Sequence, residues 1–491
     1  MVTDRRAVEA RSGLDPWVFA ELPEPPRPRG LEWLGVVGPG VIALGLSIGS
    51  GEFLLGPAVF VRHGLTLLWV TTVAVILQTI FNLEVMRYTL ATGEPVVTGF
   101  MRTRPGSTIW GFVYTVLYLL QYGWPAFAGT AAGGLFFLWM RQLPDASDAG
   151  AIYAIGVGIF LAVVAILSIG RRIVRTLEIV NWVLVATTLG AFSVLALLFV
   201  PSSVWLSGVF GMTGFDPTAG RFVLLPSGAD LVLLTALVSF SGAGGAANLL
   251  LSNWARDKGY GMGARAGYIP AAMGEKVVLA ETGFTFAATS DAMRRWRGWW
   301  RIVRVDQWAV FACGALLGML LPALLYVTFL PHGSDIQGLG ISAALASAVG
   351  AQAGPMLGGA IAFLGGWILF KTQLDNFEGV VRAITDILWT GSPRARTWRG
   401  GDVRSIYYAV MVTLAVWGVI ALRLAQPIVL LKLSANVAGV ILVIASLHLL
   451  YVNTRLLPPH VRPEPWRRAA LVVMANFYSV FVGLSLSTAI S

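Results

Sequence analysis

The chain has 491 residues, of which 56% are hydrophobic and 12% charged, with a net charge of +10 and a mean hydropathy of +0.73. Soluble domains carry about a quarter charged residues, so this composition fits lipid as the main solvent and excludes a string of soluble domains. The positive charge does not point to nucleic acid, because the basic residues lie in connections between apolar runs rather than along one stripe.

Residues 1–33 are polar and Pro-rich, with the run Leu22-Pro23-Glu24-Pro25-Pro26-Arg27-Pro28, and are expected to form a disordered cytoplasmic tail. Crossing the hydrocarbon takes about 20 apolar residues. On that rule eleven spans are predicted, at roughly 34–62, 65–90, 108–140, 150–169, 176–200, 229–255, 305–330, 355–388, 403–424, 427–454 and 467–489. They make one all-α, polytopic membrane domain, residues 34–491, with two successive five-helix repeats (34–200 and 229–455) and an extra helix (467–489). With the N-terminus placed in the cytoplasm, 29 of the 35 Lys and Arg fall in inside connections and five in outside ones, and Lys371 lies within a span. That asymmetry is the positive-inside pattern; it puts the C-terminus outside and suits a plasma (inner) membrane. The longest inside connection, about 256–304, contains Met293-Arg294-Arg295-Trp296-Arg297-Gly298-Trp299-Trp300-Arg301, expected to lie in the anionic interface. The single cysteine, Cys313, excludes an intrachain disulfide and reads as a small core residue.

Two spans carry weak points. The first contains Gly45-Leu46-Ser47-Ile48-Gly49-Ser50-Gly51-Glu52-Phe53, with Glu52 near the middle of the apolar run. The sixth contains Ser239-Phe240-Ser241-Gly242-Ala243-Gly244-Gly245-Ala246-Ala247-Asn248. Glycine and serine in these runs weaken a helix, and backbone groups freed there are tolerable only beside a protein-lined or wet cavity. Close packing of helices explains such glycines equally well for either span alone. Interruptions heading both five-helix groups point instead to an inverted-repeat transporter with its substrate site at the midplane.

Ionisable groups at membrane depth each need a reason. Lys371, Asp375 and Glu378 in the eighth span follow i, i+4, i+7 spacing and share a helical face, with Gln373 between them. They read either as a self-neutralising ladder or as coupling groups, with Lys371 pairing Glu52. Pairing of Lys371 with Asp375 leaves Glu52 free to hold a metal; pairing with Glu52 makes a bare divalent ion a poor fit. Gln121 and Tyr122 in the third span and Ser434 and Asn436 in the tenth either line the path or make packing hydrogen bonds. His448 reads as packed, since no second histidine is spaced to join it. No Gly-rich nucleotide loop and no clustered nucleophile and base are present, so neither an ATPase pump nor an enzyme is expected, and no cofactor.

The run from Gly38 through Gly93 resembles the natural-resistance-associated macrophage protein (Nramp) family of proton-coupled divalent-metal transporters. The likeness lies in Gly38-Pro39-Gly40, His63-Gly64-Leu65-Thr66-Leu67-Leu68-Trp69-Val70, Leu77-Gln78 and Leu90-Ala91-Thr92-Gly93, with weaker echoes at Asn248-Leu249-Leu250-Leu251 and Arg304-Val305-Asp306. It implies a leucine-transporter-type fold, with the eighth helix beside the interruption in the first. The departures fall on the chemistry. Where the family has Asp-Pro-Gly-Asn this chain has Gly49-Ser50-Gly51-Glu52, and where the family has Met-Pro-His it has Gly245-Ala246-Ala247. The family's third-helix acids have no counterpart in Leu120 to Ala126, and its sixth-helix histidine appears as Ser252. Loss of the thioether leaves oxygen donors, which suit Mg²⁺ or Mn²⁺, and the usual proton route is missing.

The resemblance implies a divalent cation as substrate, with Glu52, Ser50 and Asn248 as metal ligands. Ser47, Gly49, Gly51, Ser241, Gly242, Gly245, Gln121 and Asn436 complete the expected binding region. Ile48-Gly49-Ser50-Gly51 and Ser239-Phe240-Ser241-Gly242 also look like motifs of the amino acid–polyamine–organocation superfamily. There, free amides at a half-helix N-terminus bind a carboxylate, so a small amino acid or organic acid is the alternative cargo.

Overall fold

The computed structural model describes residues 12–169, 173–270, 277–336, 338 and 340–490, without the side chains of Ser50, Ile169, Ile173, Ala489 and Ile490. All eleven predicted apolar segments are helical. Nine of them are continuous helices long and apolar enough to cross a membrane: Pro39–His63, Leu65–Thr92, Ala146–Ser168, Val174–Phe199, Ser290–Phe329, Pro355–Gly391, Val403–Ala421, Pro427–Arg455 and Pro465–Thr488. The third and sixth predicted spans are each split, into Ser107–Tyr122 with Ala126–Met140 and into Leu231–Phe240 with Ala246–Asp257. Strand is confined, among the described residues, to two two-residue pairings. The chain is a polytopic α-helical membrane protein.

Burial sorts the helices. In the first span Pro39 to Ser47 are all buried, and in the second most side chains are. The ninth and eleventh turn Val412, Val416, Val473 and Val480 outward, 40–60% or so exposed, as lipid-facing helices do. Spans one, two, six and seven are therefore the more buried ones, and the ninth and eleventh lie at the periphery.

The split in the third span was not expected from sequence. It falls at Gly123-Trp124-Pro125, where proline has no N–H to continue the ladder. The first span is interrupted at the expected place but in a different manner. Rather than unwinding, Ile48–Leu55 widens into a π-helix and the helix resumes at Gly56. A π-helix keeps its backbone bonds internal, so no amide is stranded in the apolar interior.

Residues 1–11 of the expected tail lie outside the described residues. Residues 12–33 are not disordered but pack across the basic end of the bundle. Val18–Phe19 pairs in parallel with Phe284–Thr285, Leu22 is fully buried, and Trp299 Nε1 donates to the Pro23 carbonyl at 2.9 Å. The Trp-rich segment is a helix, Ser290–Arg304, running straight into the seventh span. Its Trp296 and Trp299 are buried against protein, while Arg294, Arg297 and Arg301 face outward.

Glu94, just past the second span, anchors this tail. Its carboxylate accepts from Tyr88 Oη (2.6 Å), Trp17 Nε1 (3.1 Å), the Gly283 amide (2.8 Å) and the Arg102 guanidinium (2.5 Å). Burial pushes this carboxyl up, but Arg102 and the hydrogen bonds outweigh burial and hold it below its ordinary value. A depressed carboxyl contributes stability that is complete above its unfolded value and is lost as pH falls through the folded one. Glu94→Gln should cost about 3–5 kcal/mol, the effect of leaving a buried arginine uncompensated. Thermal unfolding of the detergent-solubilised protein checks this: the wild-type advantage should hold at neutral pH and shrink as pH falls below 4.5.

Candidate functional site

The sixth span breaks at Ser241–Gly245, and Gly242, Gly244 and Gly245 all take positive φ (93°, 79° and 64°), a backbone that residues with a Cβ rarely adopt. The groups this frees are taken up by two side-chain amides. Gln78 in the second span donates to the Ser241 carbonyl (2.7 Å) and accepts from the Gly244 amide (3.1 Å). Gln121, at the end of the first half of the third span, donates to the Gly244 carbonyl (2.7 Å) and accepts from the Ala246 amide (2.9 Å). Each glutamine uses both ends of its amide, so the break is splinted on two sides. Gln121 thus belongs to the site as a splint, not as a path-lining group.

The π segment brings Ser47 and Glu52, five residues apart, onto one face, and the Ser47 hydroxyl donates to Glu52 Oε1. Glu52 is fully buried, the Gly242 amide lies close to its carboxylate, and Oε2 has no hydrogen-bond partner among the described residues. Three glycines of the first span let its neighbours come this close. A Cβ on Gly51 would overlap the Phe240 carbonyl at the sixth-span break; one on Gly49, the Thr372 hydroxyl; one on Gly45, Asn181 and Lys371. The eighth span therefore lies beside the interruption in the first, as the resemblance implies.

Lys371 does not pair with Glu52. Its ammonium bonds to Asp375, one turn along the eighth span, and to Asn181 in the fifth. Asn181 also donates to Asp375 Oδ2 at 3.2 Å. Glu378 stands apart from this pair, bonded to Arg382 (2.6 Å), which also binds Asp257. The expected i, i+4, i+7 ladder is thus two separate ion pairs. Gln373 accepts from the Ala128 amide (3.1 Å) and supports the second half of the third span, a structural and not a coupling position.

The other expected residues divide. The Ser241 hydroxyl donates back to the Leu237 carbonyl (2.7 Å). Asn248 donates to Gln78 (3.1 Å) and Asn82 (2.7 Å), and its Oδ1 stays unpartnered among the described residues, so it stands beside the break with an open acceptor. Asn436 is not at the site: it donates to the Lys432 carbonyl and accepts from Ser485 of the last helix. The Ser50 side chain lies outside the described residues. His448 stacks on Phe100 at 4.3 Å and bonds to Thr103 and Tyr114, a packed histidine.

Sequence reasoning missed the residues that hold the start of the first span. Gly38 opens it with no capping side chain of its own, and Asp306 of the seventh span supplies one in trans, accepting from the Gly38 (2.9 Å) and Gly40 (2.8 Å) amides. Tyr260 donates to the Val36 carbonyl (2.6 Å), and Lys258, paired with Glu178 (2.5 Å), reaches the Val37 carbonyl. An uncapped Gly-Pro-Gly start and an aspartate at the head of an apolar span were the available signals. Below this latch lies a cavity of about 420 Å³ at the basic end, lined by Gly35, Val36, Glu178, Lys258, Tyr260 and Trp299. Glu52 is not on its wall.

Glu52 thus presents a buried carboxyl group with one oxygen unpartnered and no ion pair among the described residues. No group of three His, Cys, Asp or Glu able to hold a metal exists among the described residues. Two of the amides at the sixth-span break, those of Gly244 and Ala246, are held by Gln78 and Gln121.

The fold is shared with a solved membrane transporter. A crystal structure of the Eremococcus coleocola manganese transporter with an aromatic bis-isothiourea compound superposes with a TM-score of 0.62 over 96% of this chain and 90% of that one, at 13% identity. Two variants of that transporter, glutamate to alanine and glutamate to glutamine, each give a TM-score of 0.63, at 13% and 14% identity and over 97% and 95% of this chain, covering 90% and 88% of theirs. No family model and no curated protein matches the chain in sequence.

The Lys371 pairing is open to a direct test. Lys371→Met should destabilise by about 3–5 kcal/mol by stranding Asp375, and adding Asp375→Leu should recover most of the loss. Adding Glu52→Gln instead should recover none of it. Chemical denaturation of the three variants in one detergent decides between the pairings.

Proposed function

We propose that the protein is a secondary transporter of a hard divalent cation of the Mg²⁺ or Mn²⁺ type, working by alternating access between its two five-helix repeats. The observation that carries this reading is the Glu52 carboxylate, buried beside the sixth-span break with one oxygen unpartnered among the described residues and with Lys371 committed elsewhere. An anionic cargo is poorly served by the same site, since Gln78 and Gln121 already hold the Gly244 and Ala246 amides. The fold shared with a manganese transporter supports the same cargo class. Oxygen ligands alone favour Mg²⁺ and Mn²⁺ over softer metals. Glu52 is the charged ligand in this reading, with Asn248 Oδ1 and backbone carbonyls at the break as neutral ones. The N-terminus is placed in the cytoplasm and the C-terminus outside, in the plasma membrane, on the asymmetry of Lys and Arg. The pathway lacks the Nramp proton carriers, so cation flux should proceed without the usual proton coupling.

Purified protein in liposomes provides the test, with Mg²⁺ and Mn²⁺ uptake measured beside labelled amino acids. Glu52→Gln should reduce cation uptake at least about tenfold. The metal should also stabilise the wild type, by about 2.7 kcal/mol at a hundred times its Kd, and leave Glu52→Gln unmoved. Cation uptake unchanged in Glu52→Gln would remove the ligand assignment. Saturable amino-acid uptake without cation transport would replace the cargo.

A further inference from the structure

A second cavity, of about 500 Å³, lies at the basic end of the bundle, away from Glu52. Its walls come from the Pro-rich strap Glu24–Arg29, from Trp33 in the helical turn that leads into the first span, and from one face of the Ser290–Arg304 helix. Five arginines line it, against one acid, Glu24. Two of the five hold the cavity together: Arg295 bonds to Glu24 (3.1 Å), Glu21 (2.7 Å) and Asp291 (2.9 Å), and Arg294 bonds to Asp291 and approaches Glu24. The other three, Arg27, Arg29 and Arg301, form no ion pair among the described residues. Arg301 instead rests over the Trp33 ring, 5.9 Å from its centre, with its guanidinium on the cavity wall.

Three unpaired guanidinium groups from two distant parts of the chain, converging on a space of this size, fit a phosphate group, which arginine binds through paired N–H donors. The surroundings say where the phosphate comes from. Leu31 and Leu34, next to the cavity-lining Trp33 in the chain, are 84% and 48% exposed and present an apolar surface that water does not favour. Basic residues beside exposed leucines match the headgroup and upper acyl chain of a lipid. We propose that this cavity is a binding site for the headgroup of an anionic phospholipid, with Arg27, Arg29 and Arg301 on the phosphate and Leu31 and Leu34 against the acyl chains. The bound lipid bridges the strap, the start of the first span and the helix leading into the seventh. It thereby tethers the first span where Asp306 caps it.

The test places the full-length protein in nanodiscs of phosphatidylcholine alone or with one part in five phosphatidylglycerol. Native mass spectrometry counts retained lipids and thermal unfolding reports stabilisation. The wild type should retain phosphatidylglycerol and unfold at higher temperature in the mixed discs. Arg27→Gln/Arg29→Gln/Arg301→Gln should lose that preference about tenfold or more, while unfolding as the wild type does in neutral discs, since none of the three is buried or paired. Arg394→Gln/Arg399→Gln, which removes two exposed basic residues elsewhere at the same end, should keep it. Equal retention of the two lipids by the wild type, or an equal loss in the Arg394/Arg399 variant, would overturn the site. Stabilisation by inorganic pyrophosphate in neutral discs, with none from phosphatidylglycerol, would overturn its assignment to a lipid. Cation uptake has no part in these readouts, so they stand apart from the Glu52 assignment.

Discussion

A stretch of backbone that leaves its helix inside a bilayer must find a partner for each N–H and C=O it frees, because hydrocarbon supplies none. The break at Ser241–Gly245 obeys this through Gln78 and Gln121, whose amides donate and accept across it from two different spans. Much else follows from those four bonds. The third span must itself end and restart at Gly123-Trp124-Pro125 to place Gln121 there, and Gln373 of the eighth span then supports the restarted half. The first span lies against the break through Gly51 and so carries Glu52 to it.

The same constraint explains why the first span does not unwind. A π-helix closes its own backbone bonds over Ile48–Leu55 and needs no outside partner for them. The wider turn has a second effect, since it sets Ser47 above Glu52 and leaves one carboxylate oxygen open. The freed backbone of the centre is therefore partnered by side chains, whereas its one buried carboxyl group keeps an oxygen without a partner among the described residues. Desolvation of a lone carboxylate is costly enough that such a group persists where a cation or proton visits it. Charge in the rest of the core is treated the opposite way. Lys371 is paired with Asp375, Glu378 with Arg382, and Arg256 with Asp386, each within or between packed helices.

The parts of this arrangement legible in the sequence were those written in local pattern. All eleven apolar segments fall within a few residues of their expected places, apart from the seventh, whose helix begins earlier, because the thickness of hydrocarbon sets their length. The sixth-span break shows in its glycines, and Lys371 finds its partner one turn away, within reach of helical periodicity. What was hidden depends on residues far apart in the chain. Gln78 lies 163 residues from the carbonyl it binds, and Asp306 lies 268 from the Gly38 amide it caps. The Gln78 pairing leaves no trace in composition or spacing, and the Asp306 cap leaves only an uncapped Gly-Pro-Gly start and an aspartate at the head of a distant span. The tail misled for a related reason: proline and charge look like disorder, yet Pro23 and Pro25 pack on Trp299 and Gly298 and Leu22 is fully buried.

The two ends of the first span are held by different chemistry, and that difference has a direction. Near the midplane the contacts are apolar or made through close-packed glycine, with Thr372, Phe240 and Gly318 against it. At the basic end they are polar and come from the fifth and seventh spans and the connection after the sixth: Asp306, Tyr260 and Lys258, the last paired with Glu178, bond to Val36, Val37, Gly38 and Gly40. Polar bonds exchange readily with water, whereas packed glycine contacts do not, so the basic end is the part of this helix that can be released without dismantling the site. The 420 Å³ cavity lies beside that latch and away from Glu52, while the sixth-span splints hold the break itself.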